Sequence, residues 1–251
     1  MDITMPPAFP LDDFRAFGIA AGAFLPRLLS DEDLNDPLAK RRHFDWAWQA
    51  VRYRYRSCAE SGEEFKGLLA NPSQSWVAGW GDEELTYRLE RCIYIFFMSG
   101  LSVFESFGFC LYFLGGALQV GDFPHIATPK KITLATTSKA FTAAFPTAAI
   151  TTCLAALLKK PEFGKIDAIR NLLAHRLSGR HSVQGETRIH TDGTHTHTQE
   201  ETWHIPGLRQ KLKFGDDMLE RHLDEITGML STLTTEAREF AESKKPAPGQ
   251  P

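Results

Sequence analysis

The run Ile169-Arg170-Asn171-Leu172-Leu173-Ala174-His175-Arg176 lies inside a helical pattern that extends from Phe163 to Leu177. Stepping about 100° per residue from Ile166 gathers Ile169, Leu173 and Leu177 within about 60° of it, an apolar stripe fit for a core. Asp167, Arg170, Asn171, Ala174, His175 and Ser178 take the adjoining face. Asn171 and His175 are four residues apart and are neighbours on a helix surface. Arg170 is long enough to reach the same point, and the small Ala174 leaves room beside it. A helix of this kind needs other helices against its apolar stripe, so the rest of the chain is read for them.

The surrounding pattern supplies them. Pro37 to about Ala59 is helical, with Phe44, Trp48, Val51 and Tyr55 near one stripe. Asp82 is a good N-cap, followed by Glu83 and Glu84, and starts a helix that runs to about Leu114, where Gly115-Gly116 stops it. Thr137 to Lys160 reads as one Ala/Leu-rich helix kinked at Pro146, and Pro161 separates it from the motif helix. A last helix covers about Asp216 to Ser243. Before it the period changes. His181–His190 and Thr194–Ile205 are rich in Thr, Val, Ile and Trp, and Asp192-Gly193 between them is a hairpin turn signal. The expected fold is therefore all-α, a bundle of four to five main helices with a β-hairpin inserted before the last helix. Residues 1–30, with Pro6, Pro7, Pro10 and Pro26, read as an irregular arm, 31–243 as one helical domain and 244–251 as a disordered tail.

Composition narrows the function classes. The net charge is -3, so any nucleic acid must be held by a local basic patch. Cys58, Cys92, Cys110 and Cys153 are widely spaced in apolar surroundings, as expected of reduced core thiols in a cytoplasmic protein. The N-terminal residues lack the pattern of a signal peptide. Ile93–Leu118 is long and apolar, with the single charge Glu105. A mid-span carboxylate costs roughly 2.5–3.5 kcal/mol in a membrane. Ser99, Ser102, Glu105 and Ser106 also form a polar stripe, and the helix continues back into an amphipathic segment. A buried bundle helix is the better reading, and no membrane is expected as a partner.

Arg, Asn and His together suit the cleavage of RNA. The 2′-hydroxyl is a built-in nucleophile, so the protein needs an acid/base, a cation on the phosphorane and a positioning group. His175 titrates near neutral pH, with an ordinary pKa of about 6.5. Arg170 stays charged and can fork onto phosphate oxygens. Asn171 can orient His175 or hydrogen-bond the ribose. Asp167 on the same face and Glu105 on the long helix are supporting candidates, Glu105 by pairing with Arg170 or His175; the plain alternative for Glu105 is a hydrogen bond to Ser102 or a backbone group. Arg41, Arg42, Arg52 and Arg176, with Trp46, Trp48, Tyr53 and Tyr55 interleaved among basic residues near 40–56, are candidates for RNA contact; the plain alternative is a solvated helix face. One helix supplies only one His, so a homodimer with two facing motif helices would complete the site.

Arg170-Asn171-Leu172-Leu173-Ala174-His175 resembles the RNxxxH motif of HEPN-domain ribonucleases. The resemblance implies an all-α dimerising bundle with a composite active site. It also implies Arg170, Asn171 and His175 as catalytic residues, RNA cleavage without a metal or other cofactor, and a role as toxin or antiphage-defence effector with an antitoxin or activator as partner. It covers this helix firmly and 82–243 loosely. The hairpin and the N-terminal arm lie outside the minimal domain. A catalytically silent module that dimerises or binds a partner is the alternative. A weaker constellation is the pair His195 and His197, on one side of a strand as a two-His metal chelate would be, with His190 or His204 as a third ligand. No Cys or obvious carboxylate completes that set.

Overall fold

A computed structural model of the chain describes residues 4–25, 40–70, 82–123, 131–175, 180–189, 195–204, 212–214 and 217–244, of which 40, 41, 82, 120, 175 and the strand residues are described in backbone alone. Among the described residues seven helices follow one another: α1 Leu11–Gly22, α2 Lys40–Ala70, α3 Asp82–Leu118, α4 Leu134–Ala144, α5 Ala149–Leu157, α6 Pro161–His175 and α7 Met218–Ser243.

The helical class holds, but the expected fold needs correction. The residues described with their side chains are 87% helix, in seven helices, with no strand among them, so a bundle of four to five helices with a β-hairpin built into it is not what is found. Among the described residues, strand backbone is confined to 180–189, 195–204 and 212–214. There it forms a three-stranded antiparallel ladder in the order β1 (Arg180–Ile189), β2 (His195–His204), β3 (Leu212–Phe214). The turn signals Asp192-Gly193 and Pro206-Gly207, the helix stop Ser178-Gly179, and 26–39, 71–81 and 245–251 lie outside the described residues.

Three further boundaries differ. Residues expected as an irregular arm contain α1, whose first turn carries Asp12 and Asp13 and whose Phe14, Phe17, Ala20 and Ala21 are buried. That spacing is a helical stripe; Pro6, Pro7 and Pro10 precede it and Pro26 comes after it in sequence, so none interrupts it. The helix expected to end at Gly115-Gly116 runs on to Leu118. A turn at Val120–Asp122 then brings the Phe123 ring against Gly115, leaving no space for a Cβ there. The stretch expected as one kinked helix is two, α4 and α5, broken at Phe145–Ala148. Pro146 cannot donate, and Thr151 Oγ1 donates to Phe145 O at 2.7 Å across the break. Thr133 starts α4 with a capping box involving Thr136.

The described chain divides into two compact units. Unit 1 comprises Met1–Arg56, Ser99–Gly164 and Glu225–Pro251. Its core is aromatic. Phe14 stacks on Trp48 with centroids 3.5 Å apart, and Phe17 stacks on Phe107 at 5.3 Å. Phe123, Phe141, Phe145 and Phe240 form a second cluster. Tyr55, fully buried, keeps its hydroxyl satisfied at 2.6 Å from Thr227 Oγ1. Asp13 ties α1 to α7, accepting from Arg238 Nη1 at 2.5 Å and Thr235 Oγ1 at 2.9 Å. Unit 2 comprises Ser57–Met98 and Lys165–Asp224. Phe97 meets Phe96 at 5.2 Å and His222 at 5.4 Å, and Glu64 accepts from Arg91.

Helix α3 is, among the described residues, the one long and apolar enough to cross a membrane. Of its most apolar window, 61% is buried inside the protein. Phe96, Phe97, Phe104, Phe107, Cys110 and Leu111 are buried, as in a core helix. Its polar stripe meets Arg54, which donates to Ser102 O at 3.0 Å and to Ser106 Oγ. The cysteines are free, and Cys58, Cys92 and Cys110 are buried.

Candidate functional site

The candidate site is one face of α6. Pro161 opens the helix, a position where its missing N–H is no loss. Ile166 and Ile169 are fully buried, which fixes the rotation of the helix about its axis. Leu173 is only half-buried, so the apolar stripe is tight in its first half and looser towards the C-terminus. Leu177 lies outside the described residues.

With the stripe inward, Asp167, Arg170 and Asn171 are half-buried and joined by hydrogen bonds. Asn171 Nδ2 donates to Asp167 Oδ1 at 3.1 Å. Arg170 Nη1 donates to Asn171 Oδ1 at 2.9 Å. A carboxylate only accepts and a guanidinium only donates, so the Asn amide has one orientation that serves both. Asn171 thus relays Asp167 to Arg170. It restrains the guanidinium through one N–H and leaves the rest of the fork for another anion. Arg170 Nε is buried without a hydrogen-bond partner among the described residues. Arg91 and Arg238 share that feature, so it does not single out Arg170; the relay does.

His175 is the last residue of α6, four after Asn171 and hence one turn further along the same face in register. Arg176 lies outside the described residues. The structure therefore brings together Arg170, Asn171 and Asp167 and places His175 by its backbone position.

The other candidates are accounted for separately. Glu105 belongs to unit 1, whereas Asp167, Arg170 and Asn171 belong to unit 2. Its Oε2 accepts the backbone N–H of Leu134 at 2.9 Å, the first residue of α4. A carboxylate at a helix N-terminus is favourable through the dipole and the unsatisfied N–H groups. Arg54 also faces it: burial lowers the Arg54 pKa and the Glu105 charge opposes that shift. Glu105 thus has a structural duty within its own unit. Nothing in the sequence around Glu105 points to Leu134 or Arg54, which come from distant segments.

On α2, Arg42 and Arg52 are half-buried, and the Arg42 guanidinium sits 5.9 Å from the Trp46 ring centroid. Arg41 is described in backbone alone. His195 and His197 occupy alternate positions of β2, opposite Ile189 and Thr187 of β1. Their side chains, like His204's, lie outside the described set, as does all of His190. Among the described residues, no group of three His, Cys, Asp or Glu is placed to hold a metal ion.

No family model, curated protein or solved structure matches the chain.

Proposed function

We propose that the protein is a metal-independent endoribonuclease of the HEPN type, acting as a homodimer, with Arg170, Asn171 and His175 as its catalytic residues. The observation that carries the reading is the Asp167–Asn171–Arg170 relay, which ends one helical turn before His175. A cation restrained through an amide, on a helix whose rotation is fixed by two buried isoleucines, is a pre-organised anion site.

The chemistry assigned to it conserves atoms and charge. The 2′-oxygen of a ribose attacks the adjacent phosphorus, and the bond to the 5′-oxygen of the next nucleotide breaks. A base removes the 2′-proton and an acid delivers a proton to the departing 5′-oxygen, leaving a 2′,3′-cyclic phosphate and a 5′-hydroxyl. His175 takes one proton role and the partner subunit's copy takes the other. Arg170 neutralises charge on the equatorial phosphorane oxygens. Asn171 keeps Arg170 in place, and Asp167 keeps Asn171 in place. The burial of most of the α3 apolar window supports a cytoplasmic protein over a membrane-bound one. A toxin or defence effector, held by an antitoxin or released by an activator, is the biological role that goes with this chemistry.

End-labelled RNA and DNA of the same sequence, incubated in excess EDTA with wild type and with His175→Ala, test the reading. The expected result is cleavage of RNA alone, by wild type alone. Equal inactivity of both proteins on several RNAs would instead favour a silent module that dimerises or binds a partner.

A further inference from the structure

The three-stranded ladder has two unequal edges. One is β3, Leu212–Phe214 alone. The other is β1, Arg180–Ile189, which is 10 residues long where about 5–6 is usual. The order β1-β2-β3 places no strand beyond β1 among the described residues. Such an edge offers a row of backbone N–H and C=O groups to another strand. Long edges are commonly blunted by Pro or by bulges. Strand β1 contains no Pro, and its register with β2 runs unbroken from Arg180↔His204 to Ile189↔His195.

We propose that the free edge of β1 pairs antiparallel with β1 of a second copy, about a two-fold axis at Val183, joining two ladders into one six-stranded sheet. The match of the strand to itself selects this occupant. In an antiparallel ladder alternate residues turn their N–H and C=O to the same side, and facing residues turn the same way. Two copies of one strand therefore pair with the axis on a residue, never between two. With the axis on Ser182 or Gly185, no charge faces another. On Gln184, Arg180 faces Arg188 twice, and on Glu186 that residue faces itself. On Thr187, Glu186 faces Arg188, but only Gly185–Ile189 overlap. On Val183, Arg180 faces the partner's Glu186 at both ends of a ladder that spans Arg180–Glu186. Opposite charges at facing positions stabilise a ladder, and like charges destabilise it. Arg188 then stands diagonal to the partner's Arg180, at about 7–8 Å, while Glu186 stands opposite it at about 4.5–5.5 Å, so attraction prevails. The interface rests on the homodimer of the ribonuclease reading and gives it a place. The two copies of Arg180 stand about 20 Å apart along the joined sheet. From His175, which ends α6, to Arg180 the chain spans up to about 17 Å in each subunit. Those two lengths exceed the gap, so the backbones of His175 and of the partner's His175 can meet, as a composite site requires.

The test uses the full chain. Single cysteines are placed along β1 in a Cys153→Ala background, since Cys58, Cys92 and Cys110 are buried. Mild oxidation and a non-reducing gel then read the register. Residues at the axis have Cα atoms about 4.5–5.5 Å apart, within disulfide reach. Val183→Cys should give the most covalent dimer. Gln184→Cys and Thr187→Cys stand about 8 Å and about 27 Å from their own copies and should give little. Sedimentation reads the charges. Arg180→Glu and Glu186→Arg should each raise the dimer Kd about tenfold or more. Arg180→Glu/Glu186→Arg should return it to within about threefold of wild type, which a fold defect in either single variant would prevent. A crosslink that peaks elsewhere on β1, or a dimer that neither charge variant weakens, would overturn the interface. So would a monomeric wild type, which would leave the edge to a foreign strand. The two readings fail separately. Dimers through β1 with no RNA cleavage sink the nuclease and keep the interface. Cleavage that depends on His175, in dimers indifferent to Arg180 and Glu186, does the reverse.

Discussion

Replacing Asn171 by alanine removes both hydrogen bonds of the relay, one to a carboxylate and one to a guanidinium. A hydrogen bond to a charged group contributes about 1.5–3 kcal/mol, and for half-buried groups the low end applies, giving about 3 kcal/mol for the two. Two gains offset part of this. Alanine is the better helix former by about 0.6 kcal/mol. Asp167 and Arg170, three residues apart, can then pair directly for about 0.3–0.5 kcal/mol. The net loss is about 2 kcal/mol, which for a chain of this size lowers Tm by about 4–8 °C. Activity should suffer more than stability. The cation drawn onto Asp167 is misplaced for phosphate, a change that costs about a hundredfold in rate. Removing Asp167 as well frees Arg170, so Asp167→Ala/Asn171→Ala should recover part of the lost cleavage. Urea unfolding of the two single variants, the double variant and wild type gives the coupling energy, expected at about 1 kcal/mol or more. The relay argument is refuted if Asn171→Ala is as stable as wild type and the coupling is within about 0.3 kcal/mol of zero.

Other outcomes follow from the packing and the buried groups. Gly108→Ala places a Cβ 2.9 Å from Leu134 Cδ1 and 3.1 Å from Leu134 Cα, so α3 and α4 must separate; a loss of about 1–3 kcal/mol in thermal or urea unfolding is expected. Glu105→Gln removes the negative charge at the start of α4 and beside Arg54, and should cost about 1 kcal/mol by the same assay. Burial first, and Glu64 next, raise the Cys92 thiol from 9.0 to about 11, and burial with Glu236 does the same for Cys153. The unfolded thiols ionise near pH 9 while the folded ones stay neutral to about 11. Their contribution is therefore complete below pH 9 and lost as pH rises to about 11, a fall that Cys92→Ala and Cys153→Ala should flatten in urea titrations at fixed pH.

The sequence was most legible where its signal was local. The apolar stripe of α6 and the i, i+4 placement of Asp167 and Asn171 follow from helical period alone, and the relay uses that spacing. The all-helical class was readable for the same reason. What could not be read depends on distant partners. Glu105 finds Leu134 and Arg54, and Gly115 marks the return of Phe123 rather than a helix end. Helix α1 was legible but hidden by its prolines. Pro10 stands just before the helix, and the Phe14, Phe17, Ala20, Ala21 pattern behind it is a core stripe. The number of helices was underestimated because Pro146 breaks a helix that its apolar flanks make continuous in pattern. The aromatics of α2 show the limit of composition: four look alike in sequence, and burial divides them.

The central claim is that Arg170, Asn171 and His175 cleave RNA through its own 2′-hydroxyl. End-group analysis of RNA treated in EDTA, with and without a 2′-O-methyl at the cleaved nucleotide, tests it most directly. Wild type should leave 2′,3′-cyclic phosphate and 5′-hydroxyl ends, the 2′-O-methyl should abolish cleavage at that position, and Arg170→Ala and His175→Ala should leave no such ends. Cyclic-phosphate ends at wild-type yield from His175→Ala, or cleavage that survives the 2′-O-methyl, would contradict it.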